Sequence, residues 1–349
     1  MDHPVEMRVL MYYSNRDVRL QKMRVPEIGP GEILVRIQAS GICGSDVMEW
    51  YRRDKVPLVL GHEVAGTVVA AGEGVKVFQE GDRVAVTHHV PCNTCHYCLS
   101  GHHTVCDTLL KGTHFDPGGF AEYVRVPAIN VDRGVFSFPG DLSYEEASFM
   151  EPLACVLRGQ RNAGLKPGQS VLVLGSGISG LLHVGVARAL GAGLVAAADT
   201  IPFRLEKASQ MGAHATLQAD EGMIEALRAL NGGRLADLVI ICFDGFISLA
   251  LKSVERGGTI LFFAGAAEGA TIPAPINDIF WRTEITMTST YAGAPVDCDA
   301  ALKLIRAGAV PVGKCITHRV GMEEATRVFE MVASPVEHAC VKVIVEPQR

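Results

Sequence analysis

The chain has 349 residues, of which 48% are hydrophobic and 20% charged, a composition typical of a globular protein with room for two domains. Its 38 acidic residues outnumber the 32 basic ones, giving a formal net charge of −6. This charge balance gives no reason to expect nucleic acid or another polyanion as a partner.

The N-terminal segment mixes charged and apolar residues and contains no apolar core of signal-peptide length. The longest apolar run, from Leu235 to Phe243, is broken by Asp237 and is too short to span a bilayer. We therefore expect a cytoplasmic protein with no membrane partner. Ten cysteines in such a chain favour metal binding and buried thiols over disulfides.

Strand patterns dominate the first 140 residues. Residues 7–25 and 31–43 are predicted as strands, and further short runs are VAGTVVAAG, DRVAVTHHV and FAEYVRVP, separated by glycine-rich turns. No long helical pattern occurs in the sequence before about residue 143. This part is predicted to be a β-rich, barrel-like domain.

Helical spacing first appears between Leu142 and Gly164, which we interpret as the bridge between two domains. Beyond it, predicted strands alternate with predicted helices: strands at 170–174, 194–198, 235–242, 259–264 and 284–290, and helices at 178–190, 203–211 and 221–230. This alternation predicts an α/β fold with a doubly wound parallel sheet. A last strand near 339–345 is expected to return to the first domain.

Four cysteines, Cys92, Cys95, Cys98 and Cys106, follow one another with two, two and seven intervening residues. Four thiolates in one loop predict a closed, structural zinc site. The first two spacings also open ferredoxin motifs, but those continue with three residues, a cysteine and a proline. Here the last gap is seven and Asp107 follows, so we favour zinc.

A glycine motif, Gly175, Gly177 and Gly180, follows an apolar strand and opens a predicted helix. In that context G-x-G-x-x-G predicts a dinucleotide pyrophosphate at the helix N-terminus. Asp199 lies at the end of the next strand, where its carboxylate would accept hydrogen bonds from a ribose diol, which favours NAD over NADP. Arg204 is the nearest cation, and it would either lie along the adenine or pair with Asp199.

The stretch from Cys43 to Glu63 carries a thiolate, an imidazole and a carboxylate in Cys43, His62 and Glu63. Three such ligands with an open fourth position keep a zinc ion catalytic. Ser45 is placed to take an alcohol proton, and Asp46 is a candidate acceptor that orients His62. Glu151 begins the bridging segment, from which it could reach the same site.

With these motifs the chain resembles the zinc-dependent medium-chain alcohol and polyol dehydrogenases over essentially its full length. The resemblance rests on Gly61-His62-Glu63-Val64-Ala65-Gly66, Gly81-Asp82-Arg83-Val84, the four-cysteine lobe, Gly118-Gly119-Phe120-Ala121-Glu122-Tyr123 and Glu151-Pro152-Leu153-Ala154. The last two segments resemble the sorbitol and threonine dehydrogenase branch. There a glutamate stands at the Glu151 position, where other alcohol dehydrogenases carry a cysteine ligand.

The resemblance implies a GroES-like catalytic domain at 1–155, to which 291–349 return, and a Rossmann NAD-binding domain at 156–290. It implies one catalytic and one structural zinc, NAD, and a homo-oligomer, either a dimer or a tetramer. The catalytic residues it implies are Cys43, Ser45, His62, Glu63 and Glu151, with Glu63 and Glu151 meeting the zinc directly or through water. The cofactor-binding residues it implies are Gly175, Gly177, Ile178, Gly180, Asp199 and Arg204.

Two positions depart from the family pattern. Met48 stands where many members carry a histidine that ends the proton path, and Arg158 stands where many relatives have a histidine. Arg158 would bind an anionic substrate group, brace the coenzyme or form a salt bridge, and we favour the last two. Candidates for the substrate pocket are Trp50, Tyr51, Arg52, Arg53, His114 and Tyr291.

We therefore predict an oxidoreductase that passes a hydride from a secondary alcohol, such as a polyol or sugar alcohol, to NAD⁺. The alternatives are a threonine-type hydroxy amino acid dehydrogenase and a sugar-phosphate alcohol dehydrogenase. A non-catalytic binding protein with the same fold is the competing class. Such a protein should have lost Cys43, His62 or Ser45, and all three are present.

Overall fold

The computed structural model describes residues 3–111, 115–266, 268–272 and 275–349, so the pocket candidate His114 lies outside the described residues. The chain divides into two compact units. Unit 1 comprises Met1–Ala154, Ala292–Arg306 and Ile316–Arg349, and unit 2 comprises Cys155–Tyr291 and Ala307–Cys315.

The strands over the described residues are β1 (Glu6–Ser14), β2 (Asp17–Arg24), β3 (Ile33–Gly41), β4 (Leu58–Val59), β5 (Glu63–Ala71), β6 (Arg83–Val86), β7 (Tyr123–Val126), β8 (Val135–Ser137), β9 (Ser170–Leu174), β10 (Leu194–Asp199), β11 (Ala215–Gln218), β12 (Ala236–Ile241), β13 (Val254–Phe262), β14 (Thr286–Ser289), β15 (Ile316–Val320) and β16 (Lys342–Val345). The α-helices are α1 (Glu49–Arg52), α2 (His96–Leu99), α3 (Asp107–Lys111), α4 (Ala128–Arg133), α5 (Tyr144–Ser148), α6 (Met150–Asn162), α7 (Ile178–Ala189), α8 (Pro202–Gln210), α9 (Met223–Leu230), α10 (Ile247–Ser253), α11 (Ile276–Phe280), α12 (Pro295–Arg306) and α13 (Met322–Ala333).

Unit 1 is built on two β-sheets. The larger has the order β15-β16-β3-β5-β6-β8, with β7 also paired to β3, and the smaller has the order β2-β1-β4. The predicted alternation along β3 is present, because Ile33, Val35 and Ile37 are all buried in one apolar cluster. The tail strand β16 pairs antiparallel with β3, so the end of the chain joins this sheet.

Two predicted strand segments in unit 1 have different bounds in the structure. Residues 7–25 form a hairpin of β1 and β2 rather than a continuous strand, because the chain turns at Asn15 and Arg16. The segment DRVAVTHHV leaves the sheet after Val86, so His88 and His89 lie beyond β6. This early exit brings both histidines to the site described below.

Unit 2 contains a six-stranded sheet in the order β11-β10-β9-β12-β13-β14, with every pairing parallel. In order of appearance this is 3-2-1-4-5-6, the order of a doubly wound dinucleotide-binding sheet. All five residues of β9 are buried, as expected for a parallel strand covered on both faces. The predicted α/β fold with a β-rich companion is confirmed, although the short strand β11 was not predicted.

Within the described residues, no helix combines the length and the apolar character needed to cross a membrane.

Candidate functional site

The four cysteines of the predicted zinc lobe come together around α2 and α3. Their Sγ atoms are separated by 3.5 Å between Cys95 and Cys98, 3.6 Å between Cys92 and Cys106, and 4.0 Å between Cys92 and Cys98. A disulfide would require about 2 Å. Sulfurs placed tetrahedrally at about 2.3 Å from zinc would be about 3.8 Å apart. The cluster therefore fits a closed zinc site.

Hydrogen bonds prepare Cys92 to carry negative charge. The hydroxyl of Thr94 and the backbone amides of Thr94 and Cys95 donate to its sulfur at 3.5, 3.4 and 3.3 Å. These bonds lower the pKa of Cys92 to about 5, so this sulfur is a thiolate at neutral pH. Burial raises the pKa of Cys98 to about 12. A bound cation is what would allow the Cys98 sulfur to ionise as well.

Replacing Cys98 by serine is expected to reduce the zinc content by one ion per chain. The thermal midpoint should fall by about 5–10 °C, since structural zinc contributes directly to folding stability. Metal analysis and a thermal melt measure both effects. Cys340→Ser is the matched control, because Cys340 is also buried in unit 1 but lies outside the cluster. An unchanged zinc content in the Cys98 variant would contradict the assignment.

A second group of donors lies at one end of the large sheet of unit 1. Cys43 follows β3, His62 immediately precedes β5, and Glu63 begins β5 opposite Gly41. The Cys43 sulfur, a His62 ring nitrogen and a Glu63 carboxylate oxygen lie within 4.8 Å of one another. The structure thus brings together three residues that the sequence singled out, and their atoms are donors that zinc prefers.

A buried carboxylate, Asp46, supports this group. Its Oδ1 lies 3.4 Å from His62 Nδ1, and its Oδ2 accepts a hydrogen bond from the Cys43 amide at 3.0 Å. Arg52 lies behind it, with Nη2 3.6 Å from Asp46 Oδ1. Burial alone would lower the pKa of His62, but the charges of Asp46 and Cys43 raise it well above its ordinary value. This negative environment favours a cation.

Glu63 is almost completely buried, and it forms an ion pair with the ammonium group of Lys342. Lys342 lies on β16 and is itself buried. Burial raises the pKa of Glu63, and Lys342 opposes that effect. The Glu63 carboxylate therefore lies within 4.8 Å of the Cys43 and His62 donor atoms and is also paired with Lys342. The sequence did not predict the pairing with Lys342.

Glu151, in the first turn of α6, belongs to a different group. Its Oε1 lies 3.1 Å from His89 Nδ1, and one donor atom each from His88, His89 and Glu151 lie within 4.8 Å of one another. The rings of His88 and His62 are 5.0 Å apart, so the two groups adjoin. His88 and His89 were missed because their segment was interpreted as strand; two adjacent histidines just before the cysteine lobe were the available signal.

The glycine motif in unit 2 has the local geometry of a phosphate-binding turn. Gly175 follows β9 with φ of +96°, a conformation that L side chains rarely adopt. A Cβ at Gly180 would collide with the carbonyl oxygen of Gly175, whereas one at Gly177 would meet open space. Helix α7 begins at Ile178, so its free amides lie at this turn. The turn fits the pyrophosphate of a dinucleotide.

Asp199 ends β10 and is buried beside this turn. Its Oδ2 accepts a hydrogen bond from the Ser176 amide at 2.7 Å, and its Oδ1 accepts one from the Ile201 amide at 3.0 Å. Arg204 Nη1 lies 3.7 Å from the same carboxylate, which is one of the two arrangements expected for it. Asp199 therefore also anchors the glycine turn.

The pocket candidates are placed differently from one another. Trp50, Tyr51 and Tyr291 are exposed, whereas Arg52 is largely buried and also donates from Nε to the Ser45 carbonyl at 3.1 Å. Ser45 itself is half-buried. Arg158 is buried in unit 2.

Comparison with known proteins gives consistent matches to both parts of the chain. The family described as alcohol dehydrogenase GroES-like domain matches residues 29–133, and the family described as zinc-binding dehydrogenase matches residues 179–307. A sorbitol dehydrogenase of Bacillus subtilis (strain 168) is 30% identical to this chain, and the match covers 99% of both sequences. An L-threonine 3-dehydrogenase of Bacillus licheniformis is 34% identical, covering 93% of each.

Among solved structures, a protein of Sinorhizobium meliloti 1021 described as a zinc-binding dehydrogenase, with NADP bound, matches with a TM-score of 0.85. It is 28% identical, and the match covers 98% of this chain and 99% of that one.

Proposed function

We propose a function from the premise that the chain belongs to the zinc-dependent medium-chain alcohol and polyol dehydrogenases, in the branch of the sorbitol and threonine dehydrogenases. The protein oxidises a secondary alcohol to a ketone, and the hydride passes to NAD⁺. Its substrate is a polyol or a sugar alcohol. It works as a homo-oligomer, a dimer or tetramer, in the cytoplasm.

The observation that carries this proposal is the convergence of Cys43, His62 and Glu63 within 4.8 Å. Cys43 and His62 would hold the catalytic zinc with Glu63 as a further donor, and Glu151, in the adjoining group of His88 and His89, would reach it directly or through water. A bound zinc supplies Lewis acidity that lowers the pKa of the alcohol. Ser45 would relay the alcohol proton, accepting it while its own hydroxyl proton passes to water or to the ribose of the coenzyme, and Asp46 fixes the orientation of His62.

NAD is proposed over NADP because of the charge at the end of β10. The Asp199 carboxylate would repel a 2′-phosphate, and Thr200, Ile201 and Pro202 supply no cation to offset that repulsion. Arg204 is the exception, but its guanidinium already lies beside Asp199. The structure of the Sinorhizobium meliloti relative contains bound NADP, so NADP is retained as the alternative cofactor.

A threonine-type activity is the second candidate, favoured by the 34% identity to the Bacillus licheniformis enzyme. A sugar phosphate would need a cation to bind its phosphate. Arg52 is poorly suited to this role, because its guanidinium faces Asp46 and the Ser45 carbonyl.

The test is a panel of initial rates with polyols, L-threonine and a hexitol phosphate, each with NAD⁺ or NADP⁺. We expect NADH formation with polyols, loss of that activity on treatment with a zinc chelator, and recovery when zinc is restored. Metal analysis should find two zinc ions per chain. Full alcohol oxidation by protein that has been stripped of metal would overturn the proposal.

A further inference from the structure

Arg52, on α1, is a largely buried cation that the proposed chemistry does not use. Its side chain is 13% exposed, although arginine is mostly a surface residue. Its Nε donates to the Ser45 carbonyl at 3.1 Å, and its Nη2 lies 3.6 Å from Asp46 Oδ1, a distance typical of an ion pair rather than a hydrogen bond. The guanidinium carbon also lies 4.7 Å from the centre of the Tyr51 ring. Arg52 therefore contacts two consecutive residues, the proposed proton relay and the carboxylate that orients His62.

Both contacts are made to a single turn of 3₁₀ helix, Gly44–Val47, which we call the relay turn. A helix of one turn leaves the carbonyls near its end without partners inside the helix, so these carbonyls need donors from elsewhere. The Ser45 carbonyl accepts from Arg52, and the Val47 carbonyl accepts from Asn15 Nδ2 at 2.9 Å. The relay turn is thus held by two side chains, one from α1 and one from the turn between β1 and β2.

Asp46 is fully buried, and a buried carboxylate is costly without a compensating charge. Its Oδ2 accepts from the Cys43 amide at 3.0 Å, and its Oδ1 faces both His62 Nδ1 and Arg52. An imidazole that binds a metal ion through one nitrogen is neutral. Of these three partners, Arg52 is then the one that carries a full positive charge. The guanidinium therefore stabilises the Asp46 carboxylate in the position from which it orients His62.

We propose that Arg52 is a positioning residue, which fixes Ser45 through its carbonyl and Asp46 through its carboxylate and so aligns the proton relay with the proposed metal site. The guanidinium suits this task, because its planar fork of N–H groups can meet two acceptors at once. Arg52 touches neither alcohol nor coenzyme in this scheme. The inference rests on the proposed function in one respect, namely that Ser45 relays the proton of an alcohol bound beside Cys43 and His62.

The experiment compares the full-length natural protein with Arg52→Ala, using NAD⁺, zinc in the buffer and the alcohol of the panel above that is oxidised fastest. The rate of NADH formation in a single turnover should fall by about 10²-fold with KM for the alcohol changed little, because a misplaced relay group costs transition-state stabilisation rather than substrate binding. Guanidinium ions, added well below denaturing concentrations, should occupy the space left by the side chain and raise this rate by about tenfold. Methylammonium, which has one donor nitrogen, should not.

A second variant separates positioning from charge. Arg52→Lys keeps a positive charge near Asp46, but a single ammonium group does not reproduce the two corners of the guanidinium fork. We therefore expect its single-turnover rate to remain about tenfold below that of the natural protein. If Arg52→Ala does not fold, Arg52→Gln takes its place. It keeps part of the aliphatic stem without the fork, and its rate should also fall by about tenfold or more.

Arg8→Ala is the matched control for stability. Arg8, on β1, also bridges two carboxylates and a carbonyl of unit 1, and none of these acceptors belongs to the relay turn. This variant should have a lower thermal midpoint and an unchanged single-turnover rate, and guanidinium should not raise that rate. The comparison shows whether the slow reaction of Arg52→Ala comes from loss of alignment or from general loosening of the unit.

The two proposals fail in different ways. A folded Arg52→Ala protein that holds zinc and reacts at the natural rate would overturn the role of Arg52 alone. A loss of rate that guanidinium restores no better than methylammonium would overturn it too, and so would an Arg52→Lys protein as fast as the natural one. Natural protein that oxidises no alcohol of the panel would instead remove the proposed function, and with it the relay that Arg52 is proposed to position.

Discussion

Replacement of His62 by alanine is expected to lower kcat/KM for alcohol oxidation by about 10³-fold or more. The substitution removes the imidazole from the group formed with Cys43 and Glu63, and with it one donor to the proposed catalytic zinc. Lewis-acid assistance contributes several kcal/mol to such reactions, and each ~1.4 kcal/mol corresponds to a factor of ten in rate. Zinc content should fall by one ion per chain.

The fold should survive this change, because Asp46, which faces His62, keeps two other partners. Its Oδ2 still accepts from the Cys43 amide, and Arg52 still lies 3.6 Å from its Oδ1. Steady-state kinetics, metal analysis and a thermal melt on one preparation measure the three effects. His96→Ala is the matched control, since His96 is an exposed histidine within the cysteine lobe. A His62 variant that keeps both zinc ions and full activity would contradict the proposed site.

The doubly wound sheet could be predicted because each of its main strands can be recognised from a short segment of sequence. A parallel strand covered on both faces needs a continuous apolar run, and β9, β10 and β12 each consist mainly of such a run. The strand β11 was missed because Ala-Thr-Leu-Gln is short and buries only Leu217. Helix α13 was also missed, although Met322, Ala325, Val328 and Phe329 have helical spacing and are buried in the structure.

The candidate site could be predicted only where its functional residues lie close together in the sequence. The four cysteines and the glycine motif each lie within one short segment, so spacing alone indicated their roles. The Glu63–Lys342 pair joins residues 279 positions apart, and no local pattern marks Lys342. It depends on the order β16-β3-β5 and on the missing side chain at Gly41, which are properties of the assembled sheet.

Replacement of Asp199 by alanine is expected to reverse the proposed cofactor preference. The ribose diol of NAD would lose a charged hydrogen-bond acceptor, which typically contributes about 1.5–3 kcal/mol, so kcat/KM with NAD⁺ should fall by about 10²-fold. The value with NADP⁺ should rise, because the charge that repels a 2′-phosphate is gone and Arg204, 3.7 Å away, is released to bind it. The measurement is the ratio of the two kcat/KM values with one alcohol. Adding Arg204→Ala should cancel the gain with NADP⁺.

Stability must be separated from specificity in this variant, because Asp199 also accepts hydrogen bonds from the amides of Ser176 and Ile201. Leaving these donors unpaired should lower the free energy of unfolding by about 1–3 kcal/mol. Asp237→Ala is the matched control: Asp237 accepts from the amide and hydroxyl of Ser170, at 2.8 and 2.7 Å, at the start of β9 rather than beyond its end. It should lose comparable stability and keep the preference for NAD⁺. A ratio that shifts equally in both variants would show that loosening of the sheet, and not the carboxylate at the end of β10, governs cofactor choice.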